Sequence, residues 1–502
     1  MKILFYVEPH PIRESHTNHF WIVSEFLDML EDEFVNKKHH QENSQVRLVV
    51  SRGLHSMIKA QKMQGVYERF LIGLTADENN HINEMYDAIW DQNSINLWQN
   101  LMEGQGEVSE FYEKILNRIH KTVFDFDVIV YWGTNGAVRN FSKANNIPAI
   151  AMELGCARKP FFNSMYFDFL GVNGAAYTNE IDLNNVKDVY DFQVIKSFLP
   201  FTLKYGKGRD ALCNPIASKY SNEIYKNIGK NILIPLQLAD DANILQFSKY
   251  NSMYEFLNEI IPPLVDDGFC CFVKPHPGNV YRQYNKLDHE KCKIMCEEYS
   301  SVFWLDDIDN EHDYPSLLMK MDAIVTINSS VGFEAMLLGK VVVPLGKSPY
   351  NLSSELPTLE QLIANTIDIQ LYKDRIQKII KLLLFHYLYF KERGFSFVEF
   401  SSAIKFNMKL WKLYNTDKEK FEKYILNYES NTLEDYIDYP PKVAPVSSNT
   451  KDIPDIVATE KYVVLYKIYK KLNFYKIEQH LKATPYIGKK LLYVKKQVLR
   501  WK

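Results

Sequence analysis

Hydrophobic residues in the first part of the chain form short β-rich runs, separated by longer stretches with helical spacing. These runs predict strands at Ile3–Glu8, Val46–Ser51, Val128–Tyr131 and Ala149–Met152. The stretch between Met57 and Lys121 is polar and rich in aromatic residues, and its spacing predicts helices. Strands that alternate with helices are typical of βαβ units around a parallel sheet.

The same alternation returns, more regularly, in the second half. Strands are predicted at Ile232–Leu236, Cys271–Lys274, Val302–Leu305, Ala323–Ile327 and Val341–Leu345. Two α/β halves in a chain of 502 residues predict two Rossmann-like domains that face a cleft. Ligands of such sheets bind at the carboxyl ends of strands, so the residues just after each strand are the candidates for chemistry.

The pattern divides the chain into five predicted parts. Residues 1–210 form an N-terminal Rossmann-like domain, and residues 211–400 form a C-terminal Rossmann-like domain. A helical segment at 401–438 packs back on this body. A proline-containing linker at 439–459 leads to a tail at 460–502.

Composition excludes several classes of protein. The hydrophobic fraction of 46% and the charged fraction of 24% are those of a globular chain, not of a disordered, collagenous or coiled-coil protein. No apolar stretch reaches the roughly 18–20 residues of a membrane span, and the start of the chain reads as a strand rather than a signal peptide. The spacing of the six cysteines predicts neither a zinc site nor a disulfide framework. We therefore expect a cytoplasmic protein.

Charge is unevenly distributed. The segment from Lys461 to Lys502 contains twelve lysines and arginines and one acid, so its net charge is +11. The whole chain has a net charge of −3, so residues 1–460 have a net charge of −14. One helical face of the tail carries Ile487, Leu491, Val494, Val498 and Trp501. A basic amphipathic helix binds anionic lipid, which predicts a peripheral protein at the inner face of the cytoplasmic membrane, with no nucleic-acid partner. The alternative is a helix pair docked on the acidic body.

Two segments of the second half point to a phosphate. Lys274-Pro-His276-Pro places a cation and an imidazole at the end of a strand, in a loop stiffened by two prolines. Ser329 and Ser330 follow another strand and precede a helix, whose N-terminus attracts anions. Glu334 lies one turn into that helix, within reach of ribose hydroxyls, and Gly332 would let a ligand approach the backbone. The alternatives are a proline-rich turn and an ordinary capped helix.

Carboxylates follow two further strands. Asp240 and Asp241 come after the first strand of the second half, where they form either a helix cap or a catalytic carboxylate. Glu153 ends a strand of the first half, where it is either a general base or the partner of Arg158. The sequence contains no Walker loop, no Gly-x-Gly-x-x-Gly after the first strand, no His-Glu-x-x-His and no Gly-x-Ser-x-Gly.

Taken together, these segments resemble the bacterial capsule polysaccharide biosynthesis/export family, which includes retaining β-Kdo glycosyltransferases that use CMP-β-Kdo (Kdo, 3-deoxy-manno-oct-2-ulosonic acid). The resemblance rests on Gln237…Asp241, Lys274-Pro-His-Pro, Asn328-Ser-Ser-Val-Gly-Phe-Glu-Ala and Glu153-Leu-Gly, between about residues 128 and 346. The His-Pro and Ser-Ser pair is also similar to bacterial GT-B sialyltransferases, where those motifs hold CMP.

The resemblance implies a GT-B fold, in which domain 1–210 binds the acceptor and domain 211–400 binds the CMP-sugar donor. It also implies a role for each matching residue. His276, Ser329 and Ser330 would hold the CMP phosphate, Glu334 the ribose, and Lys274 the phosphate or the sugar carboxylate. Gln237 would also contribute to donor binding. Asp241 would be the nucleophile, with Asp240 as its competitor, and Glu153 would take the proton of the acceptor.

We therefore expect an enzyme that transfers Kdo from CMP-β-Kdo to a glycolipid or surface polysaccharide, with retention by double displacement. No acidic metal-binding motif stands out, so we expect neither a metal nor another cofactor. One alternative is an inverting transferase of the CMP-sialic-acid type on the same fold. Another is a non-catalytic partner in capsule assembly or export.

Overall fold

The computed structural model describes residues 1–7, 17–36, 45–61, 67–85, 92–187, 216–226, 229–280, 283–308, 313–352, 356–391 and 396–430. The predicted linker and tail, 439–502, lie outside these residues. Two sheets organise the described part, one in each half of the chain, and helices surround both. The predicted α/β class, with two Rossmann-like halves, is confirmed.

The first sheet has seven strands in the order β12-β6-β5-β4-β1-β2-β3. Its strands are β1 (Lys2–Tyr6), β2 (Gln45–Val50), β3 (Leu71–Gly73), β4 (Val128–Trp132), β5 (Ala149–Leu154), β6 (Ser164–Asp168) and β12 (Tyr389–Phe390). The strands from β5 to β3 are parallel, whereas β6 runs antiparallel to both β5 and β12. The carboxyl ends of β4 and β5 therefore lie at one edge of the sheet.

The second sheet has five strands, all parallel, in the order β11-β10-β7-β8-β9. Its strands are β7 (Asn231–Pro235), β8 (Cys270–Lys274), β9 (Val302–Trp304), β10 (Ala323–Thr326) and β11 (Val341–Pro344). All five residues of the central strand β7 are buried. A strand covered on both faces needs a nearly continuous apolar run, which is why the pattern located this sheet so well.

Helices cover the faces of both sheets. In chain order they are α1 (Thr17–Glu31), α2 (Arg52–Gln61), α3 (Ala76–Met85), α4 (Gln92–Glu103), α5 (Gly106–Arg118), α6 (Gly136–Asn145), α7 (Ser221–Lys226), α8 (Ala242–Phe247), α9 (Met253–Asp266), α10 (Gln283–Glu297), α11 (Tyr314–Lys320), α12 (Ser330–Leu337), α13 (Leu359–Ile363), α14 (Ile369–Lys381), α15 (Phe397–Thr416) and α16 (Lys418–Leu426). Turns of π-helix extend α1, α5 and α14, over Asp32–Asn36, Ile119–Val123 and Leu382–Tyr387. A 3₁₀ turn at Pro277–Val280 follows β8.

The chain returns to the first sheet after completing the second. Strand β12 pairs with β6, and Phe400 and Ile404 of α15 then pack in the core beside that sheet. Helix α15 begins with a capping box, in which Ser396 and Glu399 each accept from the other's backbone N–H. The end of the described chain therefore belongs structurally to the first half.

The hydrophobic pattern did not predict three strands of the first sheet. β3 has three residues and β12 has two, which is too short for a periodicity to appear. β6 has the sequence Ser-Met-Tyr-Phe-Asp, which contains no β-branched residue. Strands with this composition and length are found only through their partners in the sheet.

The two halves pack directly against each other. Thr134, just after β4, hydrogen-bonds to Gln246 of α8 at 3.0 Å, and Thr178 donates to the carbonyl of Pro349 at 2.9 Å. A Cβ added at Gly174 would lie 2.5 Å from the ring of Phe247. Helix α8 is therefore held at the junction of the two halves.

Candidate active site

Three loops that carry predicted site residues follow neighbouring strands, because β7 lies between β10 and β8. The side chains of Gln237, after β7, and Asn328, after β10, tie two of these loops together. The Gln237 amide donates to Asn328 Oδ1 at 2.9 Å, and the Asn328 N–H donates to Gln237 Oε1 at 3.3 Å. Gln237 thus contacts the loop of Ser329 and Ser330 and holds it beside its own.

Helix α12 begins next to this amide pair. The Ser329 hydroxyl accepts the N–H of Val331 at 3.3 Å and so caps the helix, as predicted, while Ser330 is its first residue. The prediction for Gly332 was wrong. A Cβ there would lie 2.6 Å from the hydroxyl of Tyr350, so the ring of Tyr350 fills the space that the sequence had assigned to a ligand.

Glu334 is buried, with 3% exposure, and joins the two halves of the molecule. Its Oε1 accepts the backbone N–H of Arg158 at 3.0 Å, and its Oε2 accepts the hydroxyl of Tyr314 at 2.5 Å. Burial raises the pKa of Glu334 to about 7, although both hydrogen bonds and the nearby Lys274 favour the ionised form. Since Arg158 follows β5, this carboxylate binds directly to the first half.

Lys274 is the last residue of β8, His276 lies in the loop that follows, and both are partly buried. Burial lowers the pKa of Lys274 to about 8, while the carboxylate of Glu334 acts in the opposite direction. The Lys274 Nζ lies 5.8 Å from the centre of the Tyr314 ring. His276 accepts the N–H of Gly278 at its Nδ1, at 2.9 Å, so in the neutral ring the proton is on Nε2.

The two adjacent aspartates occupy different environments. Asp240 is fully buried, and its Oδ1 accepts from the amide of Asn285 at 2.8 Å. Asp241 is partly exposed and caps α8, where its Oδ1 accepts the N–H of Asn243 at 2.9 Å. Of the two, Asp241 is therefore the aspartate that a ligand can reach from the surface.

Glu153 lies at the carboxyl end of β5 in the first half and is partly exposed. Its Oε1 accepts the N–H of Leu154 at 2.8 Å, and its other carboxylate oxygen lies 3.8 Å from the Cβ position of Gly133. The segment that follows Glu153 leads to Arg158 and hence to Glu334. The structure thus connects Glu153 to the second half through the backbone.

Sequence reasoning missed three residues that shape this site. Tyr314 donates to Glu334, Tyr350 donates to the carbonyl of Ser329 at 2.6 Å, and His289 lies behind the loop of His276. None follows a strand end, so the rule that located the other candidates could not select them. The one available signal was the spacing of Asn285 and His289, which are four apart on one helix face.

The part of the chain that the structure describes lacks two features. No group of three or more His, Cys, Asp or Glu side chains there is arranged to hold a metal ion. No helix of that part is both long and apolar enough to cross a membrane.

Two known protein families match this chain, one in each half. Residues 207–387 match the family described as capsule polysaccharide biosynthesis protein, which includes the loops after β7, β8 and β10. Residues 5–177 match the glycosyltransferase 99 family N-terminal domain, which includes β5 and Glu153. Each of these matches covers about a third of the chain. The predicted family resemblance is confirmed, and it extends further towards the N-terminus than the motifs had indicated.

Several solved structures are similar to this chain at low sequence identity. A β-Kdo 2,4 transferase, KpsC from Thermosulfurimonas dismutans, is 17% identical, with a TM-score of 0.35, over 53% of this chain and 82% of its own. The β-Kdo 2,7 transferase of the same organism is 16% identical, with a TM-score of 0.31, over 60% and 90%. A UDP-GlcNAc 2-epimerase from Neisseria meningitidis is 12% identical, with a TM-score of 0.31, over 76% and 94%. No curated protein matches the chain.

Proposed function

We propose that this glycosyltransferase moves Kdo from CMP-β-Kdo to a glycolipid or surface polysaccharide acceptor, with retention of configuration. The observation that carries the proposal is the junction of the loops after β7, β8 and β10 at one sheet edge. Gln237 joins two of these loops, and Glu334 joins the edge to the first half. Ligands of parallel sheets bind at such edges.

Donor binding in this proposal uses the cations and N–H groups of the edge. Ser329, Ser330 and the N-terminus of α12 receive the CMP phosphate, and the Nε2–H of His276 donates to it. Lys274 pairs with the phosphate or with the sugar carboxylate, and Glu334 accepts from the ribose hydroxyls. CMP leaves as a phosphate monoester, which these donors stabilise, so the proposal requires neither a metal nor another cofactor.

The first chemical step is an attack by Asp241 on the anomeric carbon of Kdo. A bond forms between its carboxylate oxygen and that carbon, while the bond from the carbon to the phosphate oxygen breaks and the electron pair leaves with CMP. The product is a glycosyl-enzyme with the inverted configuration. Asp241 suits this role better than Asp240, because it is partly exposed at the start of α8 whereas Asp240 is fully buried.

The second step regenerates the enzyme. Glu153 removes the proton of an acceptor hydroxyl, whose oxygen attacks the same carbon as the bond to Asp241 breaks. Two inversions give net retention. Glu153 is assigned this role because it is a partly exposed carboxylate at the strand end of the first half.

The intact mass of the protein tests this mechanism. After incubation with CMP-Kdo and no acceptor, we expect one added Kdo, which peptide mapping places on Asp241. An adduct on Asp240 would exchange the two roles, and an inverted product seen by NMR would favour the inverting alternative. If no CMP-sugar is bound or transferred, the non-catalytic alternative is correct.

We also propose that the basic tail, 460–502, binds the anionic inner face of the cytoplasmic membrane, where a lipid-linked acceptor would be located. Each lysine or arginine near such a surface contributes about 1 kcal/mol. Flotation with vesicles containing anionic lipid tests this proposal. Deletion of 460–502 should abolish flotation, and unchanged flotation would refute membrane binding by the tail.

A further inference from the structure

A buried histidine holds the backbone of the loop after β8. The N–H of His276 donates to Nε2 of His289, in α10, at 3.3 Å. Nδ1 of His289 lies 3.1 Å from the carbonyl oxygen of Asn285, one turn earlier in the helix. Because Nε2 accepts a hydrogen bond, the proton of the neutral ring is on Nδ1, which donates to that carbonyl.

The connection continues from α10 to the loop after β7. Asn285 donates its amide to Asp240, so Asp240, Asn285 and His289 form a chain of contacts that ends at the backbone of His276. His289 is 2% exposed, and both Asn285 and Asp240 are fully buried. The chain therefore links two of the three loops through groups that water does not reach.

The environment of His289 keeps the ring neutral, so that its Nε2 can accept a hydrogen bond. Burial and the neighbouring His276 lower the pKa of His289 to about 4, so the ring is neutral near pH 7. A protonated imidazole has no acceptor nitrogen and would leave the N–H of His276 without this partner. A buried unpaired N–H is costly, so the loop would rearrange.

We propose that His289 and Asn285 are positioning residues that hold His276 in the conformation in which it meets the donor phosphate. This inference rests on the proposed function. It also gives Asp240 a task, as the anchor of Asn285, that does not require contact with the sugar. The competing explanation is that His289 only fills the core beside Trp304, whose ring centre is 6.4 Å away.

Matched variants separate these explanations. His289→Leu removes the acceptor, and His289→Gln restores one near the position of Nε2. We expect His289→Leu to weaken CMP binding by about fivefold, because one buried hydrogen bond is lost, and to raise the donor KM with little change in kcat. His289→Gln should recover most of the affinity.

His386→Leu is the control, because His386 is also a buried histidine, bonded to the carbonyl of Tyr428 at 2.7 Å and outside this site. It should lower the melting temperature and leave CMP affinity unchanged. If His289→Leu behaves in the same way, the positioning role is refuted. If the wild-type protein itself fails to bind CMP, the proposed function fails instead.

Histidine ¹⁵N spectra of the wild-type protein give a test that needs no variant to fold. His289 should show a neutral ring protonated at Nδ1 and unchanged between pH 6 and 8. A ring protonated at Nε2 could not accept from His276 and would overturn the proposal.

Discussion

At the edge of the second sheet, candidate residues hydrogen-bond to one another across loops, as Gln237 does with Asn328. At the edge of the first sheet, Glu153 accepts from its own neighbour, Leu154, and the segment after it reaches the second half through a backbone N–H. Bonds between side chains require particular residues, whereas a backbone N–H is supplied by almost any residue. If the two halves bind donor and acceptor as we propose, the sequence therefore determines recognition of the donor more directly than recognition of the acceptor.

The largest expected effect would show which half supplies the nucleophile. Asp241→Asn should reduce kcat by at least about a thousandfold, because the covalent intermediate cannot form. Binding of CMP should remain within about twofold, since the contact matters only in the chemical step. Transfer assays and calorimetry with CMP measure the two effects.

Asp240→Asn is the matched control for that variant. An asparagine oxygen can still accept from Asn285, so measurable activity should remain. If Asp240→Asn is the more damaging change, the two aspartates exchange roles.

The next prediction concerns the pH dependence of CMP binding. Glu334, with a pKa of about 7, becomes ionised as pH rises, which improves it as a ribose acceptor. Lys274, with a pKa of about 8, loses its charge as pH rises further, which weakens its hold on the phosphate. Affinity should therefore be greatest between these values and fall by up to about tenfold per pH unit on either side.

Two variants show which residue causes the loss of CMP affinity on the acidic side and which causes it on the alkaline side. With Glu334→Gln, CMP affinity should no longer fall as the pH drops from 7 to about 6, where the second ionisation of the phosphate begins to matter. Lys274→Gln should remove the loss on the alkaline side. A profile that is flat from pH 6 to 9 in the wild-type protein would contradict both assignments.

Particular residues show how much the sequence could predict. Lys274, His276 and Ser329 were found because each lies at the end of a mostly buried strand or just after one. Gly332 was misjudged, and Tyr314 was missed, because packing partners about 20 residues away determine their roles. A pattern along the chain reports which face is buried, not which side chain from another element occupies the space.

The variant Tyr314→Phe tests Glu334, a carboxylate of the second half that also accepts a hydrogen bond from the first half. The Tyr314 hydroxyl occupies an oxygen of Glu334 that the ribose would use. Losing the Tyr314 bond also raises the pKa of Glu334, so the comparison is made above pH 8, where the carboxylate is ionised. There, removing this competitor should tighten CMP binding by about threefold, since a bond to a charged acceptor no longer has to be exchanged. The advantage should disappear with a nucleotide that lacks both ribose hydroxyls, and its persistence there would contradict the ribose role of Glu334.

The smallest expected effect tests how closely the second half fixes its donor loop. A Cβ at Gly278 would lie 3.0 Å from Nδ1 of His276, so Gly278→Ala should displace the imidazole by a few tenths of an ångström. We expect CMP binding to weaken by about threefold, because the bond from His276 to phosphate is strained rather than lost. Gly73→Ala, where no atom lies within 4 Å of the added carbon, is the control in the first half and should change nothing measurable. If calorimetry gives the same CMP affinity for both variants, the loop adjusts freely and His276 is not held as tightly as its contacts imply.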